Sequence, residues 1–287
     1  DPGITLEEDL SRRDLTINAI AKAPDGTLID PYGGQKDLAD RLLRHVSDAF
    51  TEDPLRILRL AQFQARLKGL GFRVHDLTTQ LCREMVARGD LDTLSRERVF
   101  KELEKALSAP HPSEFFAVLA SVNALAQMFQ GVELAETKNL DGPATDTSPP
   151  SRFSQLVLEN PDLDLQGLSK QLAIPKHWLE LASMTRTWAA AFCQVTTLSA
   201  DAILAVLERG DARRKPERFA QSVHISCQSL IIDSVEQTQI LGLWQRLVQE
   251  TAKVSLPETA SGLSGQDIKA MIRAEQLRRI EATCDRN

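Results

Sequence analysis

The chain has 287 residues, of which 42% are hydrophobic and 26% are charged, and its formal net charge is −6. This length can bury a sizeable core and predicts two or more subdomains. No apolar run reaches the length of a bilayer span, so we expect a soluble, cytoplasmic protein without a membrane partner. The acidic balance argues against non-specific coating of nucleic acid, although local basic grooves remain compatible with it.

Two further features of the bare sequence set expectations. The four cysteines, at positions 82, 193, 227 and 284, are far apart and fit neither a zinc pattern nor a disulfide framework, so we expect reduced thiols. The chain starts at Asp1 and not at a methionine, and we therefore expect a further segment upstream of it.

The first 50 residues predict a short α/β segment. An apolar run at residues 17–21, the turn signal Asp25-Gly26 and residues 27–30 predict a β-hairpin. Asp37 is expected to open a helix that carries Leu38, Leu42 and Leu43. So few strands form an incomplete sheet, and we expect its remaining strands upstream of Asp1.

From residue 53 onward the apolar spacing is helical, so the chain is expected to be mostly α. A Thr-, Gly-, Ser- and Pro-rich stretch at 136–152 reads as a linker. The predicted helices cover residues 53–68, 76–88, 96–107, 114–129, 153–159, 165–173, 176–194, 199–208, 215–226, 231–250 and 265–283.

The helix predicted at 53–68 carries Asp53, Arg56 and Arg59 at three-residue spacing, which favours one face. One interpretation is a solvated ion pair, and another makes Asp53 the N-cap with Pro54 at the first helical position. The functional interpretation is base recognition, because a carboxylate and a guanidinium match the amine and ring nitrogen that cytosine and adenine share. Guanine and uracil present the opposite pattern and would be rejected.

A second candidate segment precedes the hairpin. Arg12 and Arg13 can bind phosphate oxygens, Asp14 can accept from a ribose hydroxyl, and Asn18 can fix a backbone or sugar contact. The alternative interpretation is a charged loop ahead of a strand.

These segments are similar to the motifs of a known family. Residues 12–19, Arg-Arg-Asp-Leu-Thr-Ile-Asn-Ala, resemble a motif of the class II tRNA nucleotidyltransferases, the CCA-adding enzymes. Residues 30–38 resemble the next motif, which joins head to neck, and residues 52–56, Glu-Asp-Pro-Leu-Arg, resemble the nucleobase template. Residues 95–99 with Glu102 resemble the motif that supports the template helix.

The resemblance implies the C-terminal remnant of an α/β nucleotidyltransferase head at residues 1–50, followed by a helical neck (51–110), body (111–195) and tail (196–287). Asp53 and Arg56 would select C and A from CTP and ATP, Arg13 and Arg59 would hold the sugar-phosphate, and Asp14 would lie near the ribose. Arg12, Asn18, Glu97 and Arg98 would support the site. The tail would bind the tRNA acceptor arm through the cations Arg213, Arg214, Lys215, Arg218, Arg273 and Arg278.

The chain also departs from the family pattern. Gln62 stands where the template helix usually has a third nucleotide-binding arginine. The Gly-Gly and Asp-x-Asp motifs of the family's head are also absent, and it is the paired carboxylates of the Asp-x-Asp motif that would hold Mg²⁺. Asp90-Leu-Asp92 and Asp162-Leu-Asp164 are predicted to cap helices, and His75-Asp76 is interpreted as a turn before a helix and not as part of an HD phosphohydrolase domain.

The expected function is therefore CCA addition to tRNA 3′ ends by an intact parent enzyme that uses Mg²⁺, whose ligands would lie upstream of Asp1. We expect this chain alone to be inactive. Two alternatives stay open at the level of sequence: an A-adding or poly(A)-type relative, and a non-catalytic RNA-binding scaffold.

Overall fold

The structure, a computed structural model, describes residues 5–133, 135–142, 146–230, 232–254 and 264–285. The chain divides between residues 176 and 177 into two compact units. The helical class predicted from the sequence is confirmed, and the short strands that the described residues contain all lie in the first unit. Within the described ranges, no helix has the length and apolarity needed to cross a bilayer.

Helix α1, Leu6–Ser11, opens the first unit and was not predicted. It begins in a capping box, in which the Thr5 side chain accepts from the Glu8 amide and the Glu8 carboxylate accepts from the Thr5 amide. A 3₁₀ turn follows at Thr16–Asn18, and then a hairpin of β1, Ala21–Lys22, and β2, Leu28–Ile29. Ala21 pairs with Ile29, so the predicted hairpin is confirmed, although its first strand starts later than residue 17.

The prediction that Leu42 and Leu43 continue a helix from Asp37 is wrong. Helix α2 spans Gly34–Ala39, and the backbone turns left-handed at Arg41, with φ at 55°. Leu42–Leu43 form β3, which pairs in parallel with β4, Arg73–Val74. Both leucines are buried, as predicted, but they are buried in a strand and not in a helix.

Three helices match the sequence prediction within two residues at each end. They are α3, Leu55–Leu67, α4, Asp76–Ala87, and α5, Arg96–Leu107. The interpretation of His75-Asp76 as a turn before a helix is confirmed, because the His75 imidazole accepts from the Leu77 amide as the N-cap of α4. Helix α3 packs against α5 and α6, Ser113–Ser121, through a fully buried apolar face.

The single helix predicted at 114–129 is divided. Helix α6 ends at Ser121 and α7 covers Leu125–Met128, with Asn123 left-handed at φ 64° between them. The break lets Phe115, Phe116 and Phe129 meet edge to face, with ring centroids 5.4–6.1 Å apart. The linker predicted at 136–152 contains a 3₁₀ turn at Glu136–Asp141 and the start of α8, Pro149–Glu159. Helix α9, Leu165–Gln171, follows.

Among its described residues, the second unit contains α-helices and connecting turns and no strand. Its helices are α10, Lys176–Cys193, α11, Ala200–Arg209, α12, Pro216–Ser229, α13, Ser234–Ala252, and α14, Gly265–Cys284. Phe192, Phe219 and Trp244 meet edge to face at the centre of this unit, and the Trp244 indole N–H donates to the Phe192 carbonyl at 2.9 Å. The helix predicted to start at residue 231 begins at Ser234; residue 231 itself lies outside the described residues.

Candidate nucleotide-binding site

Asp53 caps the helix that carries the candidate site. Its backbone is extended, and its Oδ1 accepts from the Leu55 amide at 3.2 Å, which satisfies one of the free donors at the start of α3. Its Oδ2 accepts from the Arg98 guanidinium at 2.7 Å. This hydrogen bond agrees with the capping interpretation of Asp53, although α3 starts at Leu55 and Pro54 stands directly before it. The Asp53 side chain stays about a third exposed at 35%. One helix amide and one arginine fix the orientation of this carboxylate.

Arg56 is held by the backbone of two separate segments. Its guanidinium donates to the carbonyl of Ala49, in the 3₁₀ turn before α3, and to the carbonyl of Arg12, in the first motif. A guanidinium has five N–H donors, so three remain for a ligand. The structure thus brings residues 12 and 56 together, as the two motifs of the sequence predict for one site.

Asp14 and Arg59 join the same two motifs through their side chains. Arg59 Nη2 lies 2.7 Å and Nε 2.8 Å from Asp14 Oδ2, while the Asn18 amide and the Leu15 N–H donate to Oδ1. Asp14 is only 7% exposed. Arg59 also lies over the Phe63 ring, 5.9 Å from its centroid. This arrangement fixes the Arg59 guanidinium against Asp14, about one turn of α3 after Arg56.

The other predicted nucleotide contacts lie less centrally. Arg13 is exposed and pairs with Asp9 at 3.0 Å. Gln62 is 9% exposed and therefore nearly buried. An α-helix turns about 100° per residue, so each three-residue step falls about 60° short of a full turn. Side chains at positions 53, 56, 59 and 62 therefore rotate progressively around α3, and position 62 faces the core. Glu97 is exposed in the first turn of α5, whereas its neighbour Arg98 contacts Asp53.

Residues 30–38 pack against the first motif, residues 12–19, and hold it in place through hydrogen bonds. The sequence did not predict this role. Asp30 accepts from the amides of Gly34, at 2.6 Å, and Gln35, at 2.8 Å. Burial raises the pKa of Asp30, but these amides together hold it below its ordinary value. Asp37, 3% exposed, accepts from the Thr16 hydroxyl at 2.7 Å and from Arg44 at 3.0 Å.

Gly34 is required by the closeness of that support. A Cβ at position 34 would lie 2.2 Å from the Thr16 carbonyl oxygen and 2.7 Å from Ile20 Cγ1. Only glycine lets α2 approach the turn that follows Asp14. The pair Gly33-Gly34, between Asp30 and Asp37, indicates in the sequence that another backbone segment comes close. The sequence does not indicate that this segment is the turn at Thr16.

The predicted tail cations are each engaged by an acidic or amide side chain. Arg214 contacts Asp211 at 2.7 Å, and Lys215 and Arg218 both contact Glu180, at 3.0 and 2.7 Å. Arg213 lies against the Gln276 amide, Arg273 contacts Asp201 at 2.7 Å, and Arg278 contacts Glu275 at 2.7 Å. The pKa of Glu275 falls to about 2 because Arg278 and Arg279 donate to it. These surfaces thus present cations that are already partly neutralised.

The carboxylate pairs noted in the sequence do not gather into a metal site. Asp164 caps α9 by accepting from the Gln166 amide, as predicted. Asp90 pairs with Arg88 and Asp92 accepts from Gln127, so that pair lies within a 3₁₀ turn and does not cap it. Over the described ranges, no group of three or more Asp, Glu, His or Cys side chains is arranged to hold a metal ion.

Comparison with known proteins gives the class first. Residues 3–44 match the poly A polymerase head domain, and residues 71–135 match the probable RNA and SrmB-binding site of polymerase A. The first match contains the Arg12–Asn18 motif and the second contains α4 and α5, so these parts of the chain are similar to proteins of the poly A polymerase class.

Whole-chain comparisons narrow the class. The chain is 38% identical over 286 residues to the multifunctional CCA protein of Pseudomonas putida, covering 98% of this chain and 77% of that protein. It is 36% identical to the CCA-adding enzyme of Coxiella burnetii, covering 98% of this chain and 73% of that protein. The chain therefore belongs to the family of CCA-adding enzymes, the tRNA nucleotidyltransferases.

Solved structures share the fold at lower identity. The Bacillus stearothermophilus CCA-adding enzyme in complex with CTP superposes with a TM-score of 0.75 at 22% identity, over 97% of this chain and 70% of that one. The Thermotoga maritima CCA-adding enzyme in complex with tRNA superposes with a TM-score of 0.63 at 20% identity, over 98% of this chain and 73% of that one.

Proposed function

We propose that this chain acts in the template-independent addition of CCA to tRNA 3′ ends from CTP and ATP, with Asp53 and Arg56 as the template for the incoming base. The observation that carries the proposal is the fixation of both side chains at the start of α3. Arg98 and the Leu55 amide orient Asp53, and the carbonyls of Ala49 and Arg12 orient Arg56. A side chain fixed before its ligand arrives loses less entropy on binding.

The bonding capacity left on these two side chains matches two of the four bases. Each Asp53 oxygen uses one bond and keeps lone pairs that can accept from the exocyclic amine of cytosine or adenine. Arg56 keeps N–H donors for the unprotonated ring nitrogen beside that amine. Guanine and uracil turn a carbonyl toward Asp53 and an N–H toward Arg56, so both contacts become repulsive. Selection on the order of 1–3 kcal/mol per bidentate pair is the expected scale.

Residues beside this pair suit the sugar-phosphate of the nucleotide. Arg59 places a guanidinium about one helical turn after Arg56, and Asp14 places a nearly buried carboxylate 2.7 Å from that guanidinium, where it can accept from a ribose hydroxyl. Arg13 is exposed at the edge and can exchange Asp9 for a phosphate group. Gln62 replaces a charged residue with a nearly buried amide, and we propose that it adds little to phosphate binding.

For the tRNA partner we propose the tail cations of the second unit. Arg213, Arg214 and Lys215 are exposed around one turn before α12, and Arg273 and Arg278 are exposed along α14. Their carboxylate partners are themselves exposed or half-buried, so phosphate groups can compete for the cations. Such contacts would bind the acceptor arm by its backbone and not by its sequence.

The template assignment is tested by base selectivity in the full-length gene product. Asp53→Ala and Arg56→Ala should each reduce the preference for CTP over UTP about tenfold or more, the scale of 1–3 kcal/mol of discrimination. Arg66→Ala, an exposed arginine on the same helix, is the matched control and should leave selectivity unchanged. Unchanged discrimination in both Asp53→Ala and Arg56→Ala would refute the template.

The activity of the 287-residue chain by itself is a separate proposal. Phosphoryl transfer in this family depends on paired carboxylates that hold divalent metal, and the sequence lacks the Asp-x-Asp motif of the head. We expect this chain alone to incorporate no labelled CTP into tRNA that lacks its CCA end, and incorporation above the no-enzyme blank would overturn that expectation. In the same assay, the full-length gene product adding only A would favour a poly(A)-type relative, and tRNA binding without any addition would favour a non-catalytic scaffold.

A further inference from the structure

Two cysteines that are far apart in sequence are neighbours in the second unit. Cys193 is the last residue of α10 and Cys227 lies near the end of α12. Their Sγ atoms are 3.7 Å apart, which is contact distance for two sulfurs. A disulfide bond is about 2 Å long, so a small approach of the two side chains would bring them within bonding distance.

The packing of the two helices keeps these sulfurs adjacent. The Thr185 and Ser222 hydroxyls, buried between α10 and α12, lie 2.8 Å apart, and the Phe192 and Phe219 rings meet at 5.2 Å. Cys193 is the last residue of α10, and the backbone leaves the α-helical conformation at Gln194, where φ is −102° and ψ is 23°. The fold therefore holds the two sulfurs in the contact from which a bond can form.

The two thiols differ in the way that an attacking and a resolving cysteine differ. Cys193 is half-buried and lines an open cavity of about 570 Å³ with Glu236, Arg246 and Cys284, whereas Cys227 is fully buried. The pKa of Cys193 lies below its ordinary value because the Cys227 thiol can donate to its sulfur once it ionises. The same contact, with burial, raises the pKa of Cys227. Thiolate character and access together determine which cysteine reacts first.

The other two cysteines are less reactive by the same criteria. Burial raises the pKa of Cys82 to about 12, and Cys82 is fully buried in the first unit. Burial and Asp285 raise the pKa of Cys284. Cys284 shares the cavity with Cys193, so it is the natural control for selectivity.

We propose that Cys193 and Cys227 form a dithiol site that is oxidised by low-molecular-weight disulfides of the glutathione class. The Cys193 thiolate attacks one sulfur of the small disulfide, forms a mixed disulfide and releases one thiolate. Cys227 then gives up its proton to solvent and attacks the Cys193 sulfur, which releases the second small thiolate. The protein dithiol is oxidised by two electrons to a disulfide, and the small disulfide is reduced to two thiols.

The test uses the 287-residue chain with oxidised glutathione, followed by alkylation, intact mass measurement and peptide mapping. The expected wild-type product has lost two hydrogens, carries no glutathione and contains a Cys193–Cys227 linked peptide that reductant separates. Cys227→Ala should stop at the mixed disulfide on Cys193, and Cys193→Ser should form no linked peptide. Cys284→Ser and Cys82→Ser should both behave as the wild type.

Three results would overturn the proposal. They are a wild-type chain that retains glutathione as stably as Cys227→Ala, a Cys193–Cys284 link in place of Cys193–Cys227, and a Cys193 that reacts no faster with an alkylating reagent than Cys284. Circular dichroism of each variant shows whether it is folded. If Cys227→Ala unfolds, the alkylation rates and the linked peptide of the wild type decide the question without it.

Discussion

Arg59 Nη2 lies 2.7 Å from Asp14 Oδ2, so an ion pair joins the first sequence motif to the helix of the third. The two partners are unequally buried, since Asp14 is 7% exposed whereas the Arg59 side chain is 38% exposed. Loss of Arg59 leaves a nearly buried carboxylate, while loss of Asp14 leaves an arginine that water can reach. The structure of the candidate site therefore depends on this pair in an asymmetric way.

That asymmetry gives a stability prediction. Arg59→Ala should lower the free energy of unfolding by about 1–3 kcal/mol, the cost of leaving a buried polar group with fewer partners. Because this cost falls on Asp14, most of it should disappear in the Asp14→Ala background, so the coupling in a double-mutant cycle should be about 1 kcal/mol or more. Urea unfolding monitored by circular dichroism measures all four corners of the cycle.

The exposed pair of Arg13 and Asp9 is the matched control for this cycle. It joins the same two residue types at 3.0 Å, but both side chains are more than half exposed. Its coupling should be close to zero. Equal coupling energies in the two cycles would contradict the view that the burial of Asp14 increases the contribution of the Arg59–Asp14 pair to the free energy of unfolding.

Gly34 provides a second stability prediction. Gly34→Ala should lower the free energy of unfolding by about 1–3 kcal/mol, because the new Cβ meets the Thr16 carbonyl oxygen and the turn must shift. Gly265→Ala is the control, since a Cβ there meets nothing within 4 Å in the first turn of α14. The control should be neutral or slightly stabilising. A Gly34→Ala protein as stable as the wild type would show that the turn can yield at no cost.

A third prediction concerns the buried Arg152 of α8. Its Nη1 donates to the Leu107 and Ala109 carbonyls, at 2.7 and 2.6 Å, and so satisfies the C-terminal end of α5. Burial holds the pKa of Arg152 below its ordinary value, against the pull of Asp141. Arg152→Met should lower the free energy of unfolding by about 2–4 kcal/mol, because two buried acceptors lose their donor.

Arg83→Met controls for the removal of an arginine. Arg83 also donates to a backbone carbonyl, that of Ser121 at 2.7 Å, but its side chain is exposed and water can replace it. The two variants should therefore differ clearly in denaturant midpoint. Similar midpoints would mean that the α5 carbonyls find other donors when Arg152 is lost.

Local sequence predicted the elements that local interactions specify. The bounds of α3, α4 and α5 follow from apolar spacing. The Asp53 side chain accepts the hydrogen bond expected of it at the start of α3, and His75 caps α4 with a similar bond that was not predicted. The β3 pairing was missed because its partner lies about 30 residues further along the chain and neither segment alternates in polarity. The break at Asn123 had a readable signal, since asparagine tolerates the left-handed conformation.

The sequence motifs predicted which side chains belong to the candidate site, but they did not predict the backbone groups that hold those side chains. The residues of two motifs do come together at Asp14, Arg56 and Arg59, but the carbonyls that hold Arg56 belong to Ala49 and Arg12, whose side chains give no signal for that role. In the tail, the cations are visible in the sequence and their partners are not. Glu180 and Asp201 reach them only through the packing of α10, α11, α12 and α14.

The last prediction concerns pH and rests on His45. Burial lowers the pKa of His45 below its ordinary value, and His75 and Arg44 act in the same direction while Asp48 opposes them. The Thr78 hydroxyl lies 2.8 Å from Nδ1 of the ring. Since the folded pKa is lower than the unfolded pKa of about 6.5, the unfolded state binds more protons as the pH falls below that value. His45 should therefore destabilise the fold as the pH falls from about 6.5 toward 5.

His45→Gln removes this proton uptake and should flatten the dependence of the unfolding midpoint on pH between 7.5 and 5. His177→Gln, at an exposed histidine, is the control and should follow the wild type. Carboxylates with lowered pKa values, such as Asp30, Asp211 and Glu275, lose stability only at lower pH, because their unfolded pKa values are about 4. A wild-type slope retained in His45→Gln would show that another group carries the pH dependence.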